Sequence, residues 1–135
     1  LCEYLLKEGH QVRCLDNFIT GKIENLLSLI KKYPDSFQLI IGDIRKLEDC
    51  QKAVEGMEYV LHEAALGSVP RSIKDPITTN EINIGGFLNM IIARKATWSN
   101  AKRLQFPQNF MRALLRNSSI SKWANSRLCL ISTPF

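Results

Sequence analysis

Three short segments of this 135-residue chain combine residue types that could bind a nucleotide. "CLDNFITGK" contains Asp16, "LIIGDIRK" contains Asp43, and "YVLHEAALGSVPRS" runs from apolar residues into small residues at 64–68. Each segment follows or ends a short apolar run that is typical of a buried strand. Carboxylates accept hydrogen bonds from ribose hydroxyls and from amino groups, and small side chains let an extended ligand approach the backbone.

The two acids predict how a dinucleotide would be held. An Asp at the end of such a strand accepts hydrogen bonds from the adenosine ribose and repels a 2′-phosphate, so Asp16 favours NAD over NADP. Asn17 stands where an NADP-binding protein more often has Arg. Asp43 could accept from the adenine edge while Ile44 packs on its face. Taken singly, Asp16 is better explained as a turn cap, and Gly42-Asp43 as an ordinary turn.

The elements that position these segments alternate between helix and strand. Short apolar strands separated by amphipathic helices predict an α/β fold, with a parallel sheet covered on both faces. The carboxyl ends of parallel strands meet at one edge, so the three segments should lie together there. Helices are predicted at 1–8, 22–32, 46–55 and about 76–94, and strands at 11–15, 37–41 and 58–62.

These segments, followed by "DPITTN" and "NIGGFLNM", resemble the extended short-chain dehydrogenase/reductase (NAD-dependent epimerase/dehydratase) family. Within it they look most like bacterial UDP-N-acetylglucosamine/UDP-N-acetylgalactosamine 4-epimerases of surface polysaccharide synthesis. The likeness covers about residues 1–95. It implies NAD as cofactor, a UDP-N-acetylhexosamine substrate oxidised transiently at C4, and a homodimer of the full-length parent. A nucleotide-sugar 4,6-dehydratase of the same superfamily and a non-catalytic nucleotide-binding remnant are the alternatives.

The resemblance also implies which residues contact which ligand. Glu63 departs from the pattern, because the family usually has an uncharged residue there, and a carboxylate disfavours nearby phosphates. His62 is interpreted as a core histidine rather than a catalytic base. The implied cofactor contacts are Asp16, Asn17, Phe18, Thr20 and Gly21 at the ribose, Asp43 and Ile44 at adenine, and Ala64, Ala65, Leu66 and Asn83 along the cofactor. Gly67, Ser68, Val69 and Arg71 are the implied substrate contacts.

Two parts of the family pattern are absent from this sequence. No Gly-rich turn precedes the first helix, so the sequence predicts a partial Rossmann-type doubly wound sheet that lacks its first strand. In the order 3-2-1-4 this leaves a gap between 11–15 and 58–62, and we expect an unstable chain. The family's general base is the Tyr of a Tyr-x-x-x-Lys pair. None of Tyr4, Tyr33 and Tyr59 has a Lys four positions on, so no catalytic residue is assigned.

Charge divides the chain at about residue 95. Residues 1–95 hold 12 Lys and Arg against 13 Asp and Glu, whereas residues 96–135 hold six Lys and Arg and no acid. The prediction is a partial NAD-binding domain at 1–95 and an irregular tail at 96–135 without family resemblance. A shifted reading frame or a chimeric assembly would explain such a tail, and a genuinely divergent tail is the alternative.

The remaining composition is that of an ordinary globular domain, with 45% hydrophobic and 23% charged residues. No transmembrane run or signal peptide is recognised, so a cytoplasmic location is expected. No metal site is predicted. The basic pairs at 31–32 and 102–103 are interpreted as solvated charge rather than a nucleic-acid site. The four scattered cysteines are interpreted as buried thiols rather than metal ligands or a disulfide framework.

Overall fold

The computed structural model describes residues 1–96 and, for the backbone, 127–132. The predicted helices and strands before residue 75 are confirmed, with bounds that shift by at most two residues. Gly9 ends the first helix at φ 85°, a backbone conformation that favours glycine. The elements are α1 (Cys2–Lys7), β1 (Gln11–Asp16), α2 (Glu24–Lys32), β2 (Phe37–Ile41), α3 (Leu47–Val54), β3 (Tyr59–Glu63), α4 (Val69–Lys74), α5 (Pro76–Asn80), a π-helix (Glu81–Gly86), α6 (Phe87–Ala96) and β4 (Arg127–Ser132).

The sheet is covered by helices on both faces, as the sequence predicts. Side chains alternate along β1, so Val12 and Cys14 face one layer and Leu15 the other. Val12 and Cys14 pack with Leu5 and Leu26 from α1 and α2. Leu15 belongs to the opposite cluster, which contains Cys50, Ala53 and Val54 of α3 and Met90 and Ala93 of α6. This two-sided core holds the carboxyl edge of the sheet in place.

The strand order differs from the prediction at the centre of the sheet. β1 and β2 pair in parallel, from Val12 opposite Phe37 to Asp16 opposite Ile41, which is the predicted pairing. The order is β2-β1-β4-β3, so the expected gap between β1 and β3 is filled. β4 pairs antiparallel with both neighbours. The prediction of an irregular tail is therefore wrong for 127–132, and the backbone groups expected to be unpaired there have partners. Residues 97–126 and 133–135 lie outside the described part of the chain.

The helix predicted from 76 to about 94 is interrupted. α5 and α6 are joined by a π-helix of six residues, which contains the glycine pair Gly85-Gly86. A π-helical turn holds one residue more than an α-helical turn and is frequent at functional sites. The short helix α4, which the sequence did not predict, precedes this stretch. It begins at Val69 and is capped by Ser68, whose hydroxyl accepts from the Arg71 N–H.

Two arginines satisfy backbone carbonyls around the end of α3. The Arg13 guanidinium donates to the Ala53 carbonyl at 2.9 Å and the Glu55 carbonyl at 2.7 Å. Arg94, only 5% exposed, donates to the carbonyls of Met57 at 2.9 Å and Glu58 at 2.7 Å. Helix C-termini leave carbonyls without helical partners. These contacts tie α3 and the start of β3 to β1 and α6.

The described cysteines are free thiols in the interior, as the sequence predicts. Cys2, Cys14 and Cys50 are buried, and the side chain of Cys129 lies outside the description. Burial raises the pKa of the Cys50 thiol to about 11, so it stays protonated at neutral pH. Residues 1–96 contain no cluster of three or more metal-ligating side chains. Among the described helices, none has both the length and the apolar character to span a membrane.

Candidate functional site

The carboxyl ends of β1, β2 and β3 meet at one edge of the sheet and enclose a narrow crevice. Its walls come from all three predicted segments and from the π-helix. The lining residues are Leu15, Asp16, Asn17, Ile19, Gly42, Ile44, Ala64 and Ile82. A second, open depression of about 670 Å³ follows β1 and is lined by Phe18, Gly21, Lys22, Ile23 and Glu24. The structure thus brings together the implied ribose and adenine residues.

The loop after β1 is shaped by its own side chains. Asp16 accepts from the Phe18 N–H at 2.8 Å, and Asn17 accepts from the Ile19 N–H at 3.1 Å, which are two successive Asx turns. Phe18 takes a φ of 55°, a left-handed conformation that is uncommon for a residue other than glycine. Asp16 is only 1% exposed. A ribose hydroxyl therefore reaches its carboxylate only after a local movement of its neighbours.

Asp43 lies at the end of β2 and is held in its charged form. The Arg45 guanidinium donates to it at 2.6 Å, and the Asn17 side-chain amide donates at 3.2 Å. These donors, with Arg45 first, lower the pKa of Asp43 to about 2 although burial opposes them. The Asp43 N–H donates to Asp49 at 2.9 Å, which fixes the turn. The neighbouring Gly42 lies so close that an added Cβ would stand 2.9 Å from Leu15 and 3.1 Å from Asp49.

The loop after β3 is clamped by the π-helix. The Leu66 N–H donates to the Asn83 side-chain oxygen at 2.7 Å, and the Asn83 amide donates back to the Leu66 carbonyl at 3.2 Å. Ala64 and Leu66 are buried, whereas Ala65 and Gly67 between and after them are exposed. The exposed small residues leave backbone accessible beside the crevice, as expected for a surface against which an extended ligand lies.

The implied substrate residues lie further from the sheet. Ser68 uses its hydroxyl to cap α4, and Val69 and Arg71 in that helix are exposed. They follow directly on the clamped loop, so they are continuous with the crevice along the chain. Thr20, an implied ribose contact, lies half-buried in the loop after β1.

His62 and Glu63 end β3 beneath this loop. The pKa of His62 is lowered by burial, although its contact with the Ala64 backbone opposes the shift, and its ring meets Phe87 edge to face. The surroundings are those of a neutral core histidine. Burial raises the pKa of Glu63 above its ordinary value.

Two residues that shape the site were not singled out from the sequence. Arg45 binds Asp43 and lies 3.9 Å from Glu81, and Asn89 donates to the carbonyls of Ile44 and Arg45, both at 2.9 Å. Both stand in segments that carry the family pattern, "GDIRK" and "NIGGFLNM". A polar residue on a helix or after a turn is usually solvent-facing, so its type alone gave no signal.

The arrangement fits the adenosine half of an adenine dinucleotide. Two carboxylates stand at neighbouring strand ends, and apolar Ile44 and Ile82 border the crevice. The site can bind and orient a nucleotide.

A helix-covered sheet whose crevice lies at the strand carboxyl ends defines a Rossmann-type nucleotide-binding protein. The model of the NAD dependent epimerase/dehydratase family matches residues 1–107, and the chain belongs to this family, whose cofactor is NAD. UDP-glucuronic acid decarboxylase 1 of Danio rerio is 31% identical over 91 residues, which are 67% of this chain and 20% of that protein.

Solved structures of UDP-sugar epimerases are similar to this chain. The Thermus thermophilus UDP-glucose 4-epimerase in complex with NAD has a TM-score of 0.60 and 34% identity, over 70% of this chain and 29% of that one. The Methanobrevibacter ruminantium UDP-N-acetylglucosamine 4-epimerase in complex with UDP-N-acetylmuramic acid has a TM-score of 0.52 and 35% identity, over 61% and 25%. This chain therefore spans a fifth to under a third of the length of these relatives.

Proposed function

We propose that residues 1–96 form the adenosine-binding part of an NAD-dependent UDP-N-acetylhexosamine 4-epimerase of bacterial surface polysaccharide synthesis. The observation that carries this is the convergence of Asp16, the residues on either side of Asp43 (Gly42 and Ile44) and Ala64 on one crevice. Membership of the epimerase/dehydratase family and likeness to UDP-sugar 4-epimerases support the reaction class. UDP-N-acetylhexosamine is the proposed substrate class, and a homodimer remains the prediction for the full-length protein.

Each group in the site has a binding role. When bound, NAD supplies a hydride acceptor for the sugar C4 hydrogen. Asp16 accepts from the ribose hydroxyls, and Asp43, whose carboxylate stays charged at neutral pH, accepts from the adenine edge. Asn17, Phe18, Thr20 and Gly21 form the loop around the ribose. Ala65 and Gly67 expose backbone on which the rest of the cofactor lies.

The substrate would follow the cofactor along the chain. Gly67, Ser68, Val69 and Arg71 form the exposed turn into α4, where a guanidinium can meet phosphate oxygens. Likeness to UDP-sugar 4-epimerases, among them a UDP-N-acetylglucosamine 4-epimerase, supports a UDP-sugar, and the choice of an N-acetylhexosamine within that class is our proposal from the resemblance of the sequence motifs.

A non-catalytic nucleotide-binding protein is the second candidate. Within these 135 residues, no Tyr is followed by Lys four positions on. Loss of general acid–base catalysis typically lowers a rate by about 10²–10⁴-fold. We therefore expect the 135-residue chain to bind nucleotide without epimerising UDP-N-acetylglucosamine.

The test is a nitrogen-15 NMR titration of the 135-residue chain with NAD, with NADP as the control ligand. NAD should shift amide signals at 16–21, 43–45 and 64–67 and leave α2 unchanged. Unshifted signals at all three segments would contradict the proposal. Product analysis after incubation with NAD and UDP-N-acetylglucosamine should detect no UDP-N-acetylgalactosamine, and its appearance would exclude the second candidate.

A further inference from the structure

One continuous helical stretch holds both loops of the crevice. The loop at 43–45 and the loop at 64–67 are about twenty residues apart in sequence and follow different strands. Both make side-chain hydrogen bonds to residues of the π-helix and α6. The distance between the two loops is therefore set by this stretch as well as by the sheet.

Asn83 holds the loop after β3 at two points. Its oxygen accepts from the Leu66 N–H at 2.7 Å and its amide donates to the Leu66 carbonyl at 3.2 Å. Both contacts are to backbone, so they fix the orientation of the peptide groups on either side of Leu66 without depending on its side chain.

Asn89 holds the loop after β2 in the same way. Its amide donates to the carbonyls of Ile44 and Arg45, both at 2.9 Å. Between the two asparagines, Gly86 lies against Ile44 so closely that an added Cβ would overlap the Ile44 side chain. Ile44 is thereby buried, with 6% exposure.

We propose that Asn83–Asn89 is a bracket that sets the spacing of the two cofactor-contacting loops, with Asn89 a positioning residue for the adenine end and Asn83 for the end beyond the ribose. The inference rests on the proposed function. The π-helix contains Asn83 and precedes Asn89. It adds one residue to a helical turn and so changes the angle, measured around the helix axis, between the two asparagine side chains.

The bracket predicts that the loss of Asn83 and the loss of Asn89 change the affinities for NAD and for AMP differently. AMP contacts only the adenine end, so loss of the Asn89 donor should weaken AMP and NAD by the same factor. Asn83 holds the other loop, so its loss should weaken NAD while leaving AMP unchanged. A merely structural role would lower stability in both variants without separating the two ligands.

The experiment measures dissociation constants of AMP and NAD for the 135-residue chain and the variants Asn89→Asp and Asn83→Asp. Each change keeps the side-chain shape and removes the amide donor. Asn80→Asp is the matched control, because Asn80 is exposed on the same helical stretch and takes the same added charge. Melting temperatures are recorded alongside, so that the folded fraction is known.

We expect Asn89→Asp to weaken both ligands about tenfold relative to Asn80→Asp, the equivalent of one lost hydrogen bond. Asn83→Asp should weaken NAD about tenfold and AMP less than twofold. Equal effects on AMP and NAD in both variants, or no effect in either, would overturn the bracket. A parent chain that binds neither ligand would instead overturn the proposed function.

Discussion

Asp43 shows how a single side chain is prepared for its role before a ligand arrives. Arg45 and Asn17 donate to its carboxylate, so the group stays charged and its orientation is fixed. An adenine amino group would join these donors rather than replace water, which reduces the reorganisation that binding requires. The same hydrogen bonds make folding stability sensitive to acid, because they are made by the charged form.

Replacement of Arg45 by Gln should therefore change stability in a pH-dependent way. The pKa of Asp43 is about 2 in the folded chain against an ordinary value of 3.8. A lowered pKa contributes stability that is fully present above about pH 4 and is lost as the pH falls towards 2. Thermal melting should show the variant less stable at pH 6 and indistinguishable from the parent near pH 2.

Glu81→Gln is the control for that experiment, since it removes the longer Arg45–Glu81 contact of 3.9 Å between two exposed side chains. Such exposed pairs contribute little. A melting difference between parent and Arg45→Gln that persists unchanged at pH 2 would show that Asp43 is not the partner responsible.

Asp16 should decide between NAD and NADP. A carboxylate that accepts from ribose hydroxyls repels a 2′-phosphate. Asp16→Ala should weaken NAD by about tenfold or more, as expected for a lost hydrogen bond to a charged group. It should also narrow the difference between NAD and NADP in calorimetric titration. Equal affinities of the two dinucleotides for the parent chain would show that the role given to Asp16 is wrong.

Sequence and resemblance single out these two acids and Asn83, whose contacts with the cofactor stay predictions, but not Arg45 or Asn89. Asp16 and Asp43 follow apolar strand runs, and that position is itself informative in a parallel sheet. Asn89 acts through backbone carbonyls 44 and 45 residues earlier in the chain. Such a contact depends on how α6 crosses the loop after β2, and neither composition nor periodicity contains that information.

Among the elements, the π-helix differs most from its prediction. Apolar spacing predicts one helix from 76 to about 94, because one extra residue in a turn barely changes that pattern. Packing determines the helix geometry at this point, because residue 86 can lie this close to Ile44 only if it has no side chain. The stretch supplies Asn83, Gly86 and Asn89 to the two loops, so its geometry belongs to the site.

Two neighbouring glycines offer a matched test of this packing. Gly86→Ala should destabilise the chain by about 1–3 kcal/mol, the usual cost of overpacking a core. Gly85→Ala should be neutral or slightly stabilising, because nothing lies within 4 Å of an added Cβ and Ala favours helix. Urea unfolding measures both. Equal free energies of unfolding for the two variants would contradict the close approach of Gly86 to Ile44.

For the molecule as a whole, β4 is the element that makes the observed sheet differ from the predicted one. The sequence predicts an irregular tail from residue 96, whereas the family model matches up to residue 107. Within that tail, "RLCLIS" contains four consecutive apolar residues, a run compatible with a buried strand. Which strands such a run pairs with depends on residues that are distant in the sequence. Its backbone supplies partners to β1 on one side and β3 on the other.

The register of β4 can be tested with the cysteines that the chain already has. Cys14 lies directly opposite Cys129 in the β1–β4 pair. Opposite residues of antiparallel strands have Cα atoms about 4.5–5.5 Å apart, which is within the range of a disulfide. Refolding with oxidised glutathione, followed by peptide mapping, should give Cys14–Cys129 as the main disulfide.

Cys129→Ser is the control and should leave no main disulfide at Cys14. If Cys14 were joined to Cys2 or Cys50 as often as to Cys129, the proposed position of β4 in the sheet would be wrong.

Because β4 lies between β1 and β3, the sheet can be completed only after β4 has been synthesised. Val12 pairs with Phe37, which is synthesised 25 residues later. Leu15 pairs with Leu128 on the other side of β1, so that side stays unpaired until β4 has been synthesised. On a ribosome adding about 5–20 residues per second, roughly 3–14 s separate the synthesis of Glu63 from that of Ser132. During that interval one edge of β1 and β3 is exposed to other chains. Nascent chains stalled near residue 100 should accordingly be digested faster by protease than the free 135-residue chain, and equal digestion would contradict this order of events.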